Sequence, residues 1–286
     1  MTFLRLGKHY IDLSTPRVMG ILNATPDSFS DGGRLRAANH TERFTISVDQ
    51  ALHLAEAMVR NGAAIIDVGG ESTRPGALPV SEQEELDRVL PVVEAIAARL
   101  DIAISVDTST PLLMQQAIIA GAGLINDVRA LARPGAISTV VSSPAAVCLM
   151  HMQGQPQNMQ ERAQYTNVVE EVLAFLEQRV AACEEAGIER DRLLVDPGFG
   201  FGKTLEHNYE LLRHLGRLQA LGLPILVGLS RKSIIGTVIN KGVEQRLAGG
   251  LAATVHALLG GAVIVRTHDV AETVDAIKVH CAVMQG

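Results

Sequence analysis

Residues Met19 to Gly33 read MGILNATPDSFSDGG, in which a short apolar run stops at Asn23. A loop of hydroxyl groups, carboxylates, a proline and paired glycines follows. The run does not alternate with polar residues, so it is typical of a strand that is buried on both faces. A polar loop directly after such a strand indicates either a helix cap or a functional site.

The same pattern recurs from one end of the chain to the other. Eight apolar runs rich in Val, Ile and Leu alternate with longer amphipathic segments that are typical of helices. The predicted strands are Arg17–Leu22, Ala64–Val68, Ile102–Val106, Gly123–Asn126, Ala146–Met150, Leu193–Val195, Ile225–Gly228 and Ala262–Arg266. Eight strand–helix units predict an α/β fold, the (β/α)8 or TIM barrel, as a single domain over residues 1–286. The alternative is an open doubly wound sheet, which is disfavoured because no nucleotide-type glycine-rich turn follows the first strand.

Several segments carry signals for where helices and turns begin and end. Residues 47–63 end in Asn-Gly, and residues 81–100 open with Ser81 and Glu84 at the spacing of a capping box. Segments 166–188 and 206–223 are each predicted as one helix that closes on glycine. Residues 1–16 are predicted to form a hairpin at the bottom of the barrel.

Composition excludes several classes of function. The net charge of −6 argues against a nucleic-acid binder that neutralises phosphates. No apolar run approaches the ~20 residues of a membrane span, and the N-terminus lacks the apolar stretch of a secretory signal. Cys148, Cys183 and Cys281 lie far apart without zinc-site spacing. These features predict a cytoplasmic protein in a reducing compartment, with Cys148 packed in the core.

Polar side chains follow all eight predicted strands at the point where each strand ends. They are Asn23, Asp67 with the segment 71–75, Asp107, Asn126 with Asp127, His151, Asp196 with Pro197 and Gly198, Ser230 to Lys232, and Arg266 to His268. In a (β/α)8 barrel these positions meet at one rim, where such enzymes carry their active sites. A helix-cap role stays open for Asp67, Asp107 and Asp127. The recurrence at all eight strands, including two basic ends, favours a functional rim.

The mixture of groups at the rim indicates the kind of ligand. Asp107, Asn126, Asp196 and Lys232 offer acceptors and donors that suit a heterocycle with amidine and amide edges. A second set suits an anion, because arginine presents a planar fork of donors and histidine can donate from either nitrogen. That set comprises Asn23, Thr73, Arg74, Arg266 and His268. A salt bridge to Asp or Glu is the alternative for Arg266.

Two glycine-rich segments complete the predicted site. DPGFGFGKT, residues 196–204, allows close backbone approach and supplies the rings of Phe199 and Phe201. Core packing is the favoured role for Phe199. SFSDGG, residues 28–33, is predicted to be a lid that carries Phe29 and Asp31, and a plain surface loop is the alternative.

Taken together, these motifs resemble one family closely. MGILNATPDSFSDGG and DVGGESTRPGA are similar to the two signatures of the dihydropteroate synthase family. SVDTS, INDV, LMHMQG, DPGFGFGKT, VGLSRKS and RTHDV are similar to its remaining blocks, in order. The resemblance extends from Arg17 to the last helix, and a series of motifs is far more specific than any one alone. Ala24, where valine is expected, and a long loop after Gly33 are the departures.

The resemblance implies a reaction and a role for each matching residue. The reaction condenses 6-hydroxymethyl-7,8-dihydropterin diphosphate with 4-aminobenzoate to give 7,8-dihydropteroate and diphosphate, in folate biosynthesis. The pterin site implied is Asp107, Asn126, Asp196 and Lys232; the diphosphate site is Asn23, Thr73, Arg74, Arg266, Thr267 and His268; the aminobenzoate site is Phe29, Asp31, Thr73, Pro75, Phe201, Ser230 and Lys232. Asn23 is implied as a ligand of a Mg²⁺ cofactor, and a homodimer with small-molecule substrates is expected.

The same residues indicate the type of chemistry. No Ser-His or Cys-His pair is evident for covalent catalysis, and an aniline is a poor nucleophile. We therefore expect dissociative substitution in which diphosphate leaves first, with Asp196, Lys232, Arg266 and His268 as the catalytic residues. Two alternatives stay open: a pterin-binding methyltransferase barrel that uses methyltetrahydrofolate, and a non-catalytic pterin-binding module. The methyltransferase barrel does not need the Arg-Thr-His end of the eighth strand or the SFSDGG loop, and intact candidate residues in both subsites argue against the non-catalytic module.

Overall fold

The computed structural model of the chain describes residues 3–24, 47–71, 80–154, 159 and 163–285. Its centre is a closed barrel of eight parallel strands. These are β3 (Arg17–Asn23), β4 (Ile65–Gly69), β5 (Ala103–Asp107), β6 (Leu124–Asp127), β7 (Ala146–Met150), β8 (Leu193–Asp196), β9 (Ile225–Gly228) and β10 (Ala262–Thr267). They pair in chain order, and β10 closes the barrel against β3. The predicted barrel is confirmed with every strand boundary within one residue, and the open-sheet alternative is wrong.

Helices connect and surround the strands. The α-helices in the described ranges are α1 (Val48–Arg60), α2 (Glu82–Arg99), α3 (Pro111–Ile119), α4 (Ala136–Val141), α5 (Val168–Glu185), α6 (Leu205–Arg213), α7 (Ser233–Ile239), α8 (Leu247–Leu259) and α9 (Val270–Met284). The Ser81 side chain accepts from the Glu84 N–H at 3.2 Å, as the capping signal predicts. The Glu84 carboxylate pairs with Arg88. None of the helices in these ranges combines the length and the hydropathy that crossing a membrane requires.

Segment 206–223 differs from its prediction as one helix. It forms α6, then breaks at His214 and continues as a 3-10 helix over Leu215–Leu221. Leu215, Leu218 and Leu221 are all buried. A spacing of three residues places side chains on one face of a 3-10 helix rather than of an α-helix, and this explains the change of helix type.

The N-terminal strands cover the bottom of the barrel. β1 (Phe3–Leu6) and β2 (His9–Asp12) form an antiparallel pair. Leu4 and Leu6 are fully buried and pack with residues of the barrel interior. A Cβ atom at Gly123, just before β6, would collide with the backbone of Leu6, so only glycine allows this close approach. The opposite end of the barrel, at the carboxyl ends of the strands, faces away from this hairpin.

The barrel interior is apolar in its lower part. Its inward-facing residues are Met19, Ile65, Ala103, Leu124, Ala146, Cys148, Leu194, Leu226 and Ile264. Cys148 is therefore a packed core residue, as predicted. A second and larger apolar layer lies between the outer faces of the strands and the helices. Filling the lower interior with apolar side chains leaves the upper end for polar groups.

Candidate active site

The inner face of the barrel becomes polar towards the carboxyl ends of the strands. Side chains alternate along a strand, so residues two positions beyond an inward apolar residue also face the interior. Asp67 follows Ile65 in this way, Ser105 and Asp107 follow Ala103, Asn126 follows Leu124, Asp196 follows Leu194, and Arg266 follows Ile264. The strand register therefore brings residues from five different strands to the barrel mouth.

Arg266 lies at the centre of these groups. Its Nε donates to Asp67 Oδ2 at 2.6 Å, and a terminal nitrogen donates to Asp107 Oδ2 at 2.8 Å. Burial alone would lower the pKa of Arg266, but the two carboxylates raise it above its ordinary value. The guanidinium is thus fixed as a cation in the mouth. The ion-pair alternative for Arg266 is confirmed.

Asp67 is a site residue that the helix-cap interpretation missed. It lies inside β4, two residues before the strand ends, and is fully buried. It accepts hydrogen bonds from Ser105 Oγ at 2.6 Å, Arg266 Nε at 2.6 Å and Asn126 Nδ2 at 3.4 Å. A helix-cap role for Asp67 is wrong, because all three donors belong to the barrel interior. The signal that could have found it is a carboxylate at the inward position two residues after Ile65.

The other two cap candidates have different outcomes. Asp127 accepts from the main-chain N–H groups of Arg129 and Leu131, both at 2.8 Å, so its structural role in the following turn is confirmed. Asp107 does not cap the helix that follows it, since Thr110 occupies the N-cap position of α3. Burial raises the pKa of Asp107 to about 7, against the opposing effect of Arg266.

Asn126 presents an unsatisfied acceptor at this level of the barrel. The residue is 4% exposed, and its Oδ1 has no hydrogen-bond partner among the described residues. Its Nδ2 is directed to Asp67. A buried amide oxygen without a donor costs free energy, and functional sites are where such groups are retained. Asn126 is thus suited to accept a hydrogen bond from a ligand.

Asp196 and Lys232 form the opposite side of the mouth. Asp196 Oδ1 accepts from the Gly198 N–H at 2.7 Å, and burial raises the pKa of its carboxyl while Lys232 lowers it. Lys232 Nζ donates to the carbonyl of Phe199 and lies 4.6 Å from the ring centroid of Phe201. Burial lowers the pKa of Lys232 to about 8, with Asp196 opposing the shift. Phe199 is fully buried, as its favoured core role predicts.

Ser230 and His268 come together at the rim. Ser230 Oγ lies 3.1 Å from His268 Nδ1 and accepts from the His268 main-chain N–H at 3.2 Å. This Ser-His pair is not evident from the sequence, because the two residues are 38 positions apart and meet only through the barrel. It also donates to Asp269 Oδ2 at 3.4 Å. Ser230 thereby orients the imidazole ring. Thr267, which directly precedes His268, is directed elsewhere. Its hydroxyl accepts from the Asp269 N–H and is bonded to Thr273, so its side chain is buried against α9.

Lys203 is a second residue that sequence reasoning missed. Its side chain is buried beneath the loop after β8, and Nζ donates to Gly198 O at 2.9 Å and Phe201 O at 3.1 Å. The same nitrogen lies 2.9 Å from His151 Nδ1. Lys203 therefore joins the end of β7 to the loop that carries Phe199 and Phe201. The Gly-Lys-Thr end of the motif gave no signal for burial, since lysine is ordinarily exposed.

Part of the predicted site lies outside the described residues. These residues are Phe29, Asp31, Thr73, Arg74 and Pro75. Asn23, half-buried, ends β3 beside Gly69 of β4 and shares its strand face with Met19. Within the described ranges, no cluster of three or more His, Cys, Asp or Glu residues is arranged to hold a metal ion. The described portion of the site thus consists of a buried polar mouth with Ser230 and His268 at its rim.

The chain is similar to known proteins over nearly its whole length. Residues 19–268 match the family model described as pterin binding enzyme. The dihydropteroate synthase of Escherichia coli (strain K12) is 53% identical over 269 residues, which cover 94% of this chain and 92% of that protein.

Solved structures agree in fold and family. The Yersinia pestis dihydropteroate synthase with a sulfonamide drug complex has a TM-score of 0.93 and 50% identity, covering 99% of this chain and 100% of that one. The Xanthomonas albilineans dihydropteroate synthase with 4-aminobenzoic acid has a TM-score of 0.91 and 47% identity, covering 100% of this chain and 99% of that one. The chain therefore belongs to the dihydropteroate synthase family of pterin-binding enzymes.

Proposed function

We propose how this chain carries out the dihydropteroate synthase reaction, in which 6-hydroxymethyl-7,8-dihydropterin diphosphate and 4-aminobenzoate give 7,8-dihydropteroate and diphosphate. The observation that carries the proposal is the unsatisfied buried Oδ1 of Asn126, which lies in a mouth that also contains Asp107, Asp196 and Lys232. Such a set needs a planar ligand with several N–H donors and at least one acceptor. A reduced pterin ring has both.

The four residues of the mouth bind the pterin. The carboxylates of Asp107 and Asp196 accept from ring N–H and amino groups, and Asn126 Oδ1 accepts one further hydrogen bond. Lys232 donates to a ring acceptor, which it can reach from its position against Phe201. Because these groups come from β5, β6, β8 and the loop after β9, the rigid barrel fixes their relative positions.

The rim binds the diphosphate and the second substrate. Arg266 and His268 face the leaving group, with Asn23, Thr73 and Arg74 as its other partners and Thr267 contributing only its main chain. Phe201, Ser230 and Lys232 border the aminobenzoate. Phe29, Asp31, Thr73 and Pro75, from the segments outside the described residues, complete that pocket.

The reaction is dissociative. The carbon–oxygen bond to diphosphate breaks and its electron pair leaves with the oxygen, and Arg266 and His268 stabilise the developing negative charge. The remaining cation is spread over the electron-rich ring, where the nearby carboxylate of Asp196 stabilises it. The amine nitrogen then forms the new carbon–nitrogen bond and loses a proton. Substrates that fill the mouth exclude water from the cation.

Magnesium fits this site only together with the substrate. Asn23 supplies a neutral amide oxygen, and Mg²⁺ binds through few protein ligands when substrate phosphates and water complete its octahedral shell. When bound, the ion would neutralise charge on the diphosphate. Asn23 would hold the ion at the rim, and the chain's own cations would hold the phosphate oxygens.

The whole chain acts as one domain and, we propose, as a cytoplasmic homodimer. The three cysteines are free thiols, in keeping with a reducing compartment. The neighbouring helices α7, α8 and α9 carry the exposed apolar residues Val238, Leu247 and Val283, which suit a contact with a second copy. Sedimentation of the protein, alone and as the Val238→Glu variant, tests this assembly. A wild-type monomer at micromolar concentration would contradict it.

A trapping experiment tests the mechanism. Under single-turnover conditions without 4-aminobenzoate, the enzyme should release diphosphate slowly and form 6-hydroxymethyl-7,8-dihydropterin, because water traps the cation. Absence of this product over many turnover times would favour direct displacement by the amine.

A binding experiment tests the site. Asp107→Asn should weaken calorimetric binding of 6-hydroxymethyl-7,8-dihydropterin about tenfold, since one charge-assisted hydrogen bond is lost. Asp127→Asn is the control, because Asp127 is also a carboxylate at the end of a neighbouring strand, and among the described residues its hydrogen bonds are with Ser109 and the main-chain N–H groups of Arg129 and Leu131. Equal affinities for the two variants would show that the heterocycle does not bind at Asp107.

A further inference from the structure

Asp67 and Asp107 bind the same guanidinium through different nitrogens. Among the described residues they are the two carboxylates paired with Arg266, Asp67 through Nε at 2.6 Å and Asp107 through a terminal nitrogen at 2.8 Å. Asp67 lies one inward-facing level deeper in the barrel, because it pairs in register with Ser105, two residues before Asp107. Arg266 is therefore held from below by Asp67 and from the rim side by Asp107.

The roles proposed for Asp107 and Arg266 share one contact, between Asp107 Oδ2 and one terminal nitrogen of Arg266. Asp107 is proposed to accept ring N–H groups of the pterin, and Arg266 is proposed to bind the diphosphate. The terminal nitrogen that Asp107 holds can serve the diphosphate only by turning from the carboxylate towards the phosphate oxygens.

Asp67 is built to stay in place during that exchange. It is fully buried, and Ser105 Oγ holds its other oxygen at 2.6 Å. Asn126 Nδ2 adds a third donor at 3.4 Å. Nε, which Asp67 holds, is the guanidinium nitrogen nearest the side-chain stem, so the outer nitrogens can reorient while this bond persists.

We infer that Asp67 is a positioning residue that anchors Arg266 through Nε while the terminal nitrogens of Arg266 pass from Asp107 to the diphosphate. The inference rests on the proposed function for the roles of Arg266 and Asp107. Without Asp67, Arg266 has Asp107 as its remaining carboxylate partner in the described mouth. The variant enzyme then binds the pterin ring less well, although Asp67 is not among the residues proposed to contact the ring.

A double-mutant cycle tests this inference. Asp67→Asn should lower kcat/KM for pterin diphosphate about tenfold or more, the value of a hydrogen bond to a charged group. In an Arg266→Met background the same substitution should cause little further loss, because the group it positions is gone. Ser105→Ala should also lower kcat/KM, by a smaller factor. This variant takes the place of Asp67→Asn in the test if Asp67→Asn folds poorly.

Controls distinguish a positioning role of Asp67 from a general effect on folding and from a failure of the proposed function. Asp127→Asn removes a carboxylate that is just as buried but has no contact with Arg266, and should leave kcat/KM of the folded fraction unchanged. Multiplicative losses from Asp67→Asn and Arg266→Met would overturn the inference, as would equal behaviour of Asp67→Asn and Asp127→Asn. Inactivity of the wild type would instead refute the proposed function. In that case the same cycle, measured as calorimetric affinity for inorganic diphosphate, still decides whether Asp67 acts through Arg266.

Discussion

Replacing Lys203 with Met removes a buried ammonium group and keeps a side chain of similar length. Lys203 is 2% exposed, and Nζ lies 2.9 Å from Gly198 O, 3.1 Å from Phe201 O and 2.9 Å from His151 Nδ1. Burial and the neighbouring Lys203 lower the pKa of His151 to about 2, so the imidazole is neutral and Nδ1 can accept. The variant leaves three acceptors without this donor.

The size of the effect follows from what each acceptor retains. Hydrogen bonds to charged groups contribute about 1.5–3 kcal/mol each. Gly198 O keeps a second donor, the Phe201 N–H at 3.1 Å, and half-buried Phe201 can exchange its lost bond for water. Burial also lowers the pKa of Lys203 well below its usual range, which means that burying the charged form is unfavourable. Methionine is uncharged and removes this unfavourable contribution. We expect a net destabilisation of about 2 kcal/mol, or a melting temperature lower by about 3 °C for a chain of this length.

The same loop connects this stability effect to function. It carries the Phe199 carbonyl that accepts from Lys232 and the Gly198 N–H that donates to Asp196. The Lys203→Met variant should therefore have both a lower melting temperature by calorimetry and a lower affinity for the pterin. Because the pKa of Lys203 is depressed in the folded state, raising the pH towards 10.5 should stabilise the wild type relative to the variant.

Lys278→Met is the matched control for this experiment. Lys278 is 71% exposed on the side chain and pairs with Asp275 at 3.3 Å. An exposed pair of this kind contributes about 0–1 kcal/mol. If Lys203→Met melts at the same temperature as Lys278→Met and binds pterin as the wild type does, the reasoning about the buried ammonium is refuted.

Further predictions concern pH, metal and the barrel floor. Pterin affinity should rise as pH increases through about 7, because Asp107 has a raised pKa and loses its proton only near that pH to give the accepting carboxylate. In calorimetric titrations the Asp107→Asn variant should not show this rise in affinity. Pterin affinity should fall again above a pH of about 8, because the Lys232 ammonium loses its proton there, and the Lys232→Met variant should not show this fall. Mg²⁺ should bind weakly to the protein alone and well with inorganic diphosphate present, measured by calorimetry, since Asn23 offers one neutral oxygen. Gly123→Ala should lower the melting temperature, because its Cβ meets the Leu6 backbone; an unchanged value would show that the hairpin can move aside.

The barrel could be predicted from sequence because each element repeats one physical rule. A strand covered on both faces must be apolar throughout, so β3, β4 and β5 are visible as short runs of Val, Ile and Leu. The residues that end those strands then fall at one rim by topology alone. This is why Asp107, Asn126, Asp196, Lys232 and Arg266 could be selected before any coordinates.

The residues that were missed depend largely on which side chains the fold brings together. The position of Asp67 two residues after Ile65 was a signal for the inward face, but its bonds to Ser105 and Arg266 follow from the register of the strands. Lys203 is buried because its loop folds back over His151, and the sequence has no signal for that path. The 3-10 helix over Leu215–Leu221 follows the three-residue spacing of its buried leucines, which a search for α-helical periodicity does not detect.

The placement of the carboxylates favours the proposed dissociative chemistry. Asp196 is buried at the side of the mouth where the pterin ring is proposed to bind, whereas His268, a proposed partner of the diphosphate, lies at the rim beside Ser230. Once the diphosphate departed, the ring would become cationic next to the carboxylate of Asp196. A carboxylate in this position stabilises the transition state more than the neutral ring of the ground state, so a reaction that separates cation and anion before the amine attacks gains the most from it.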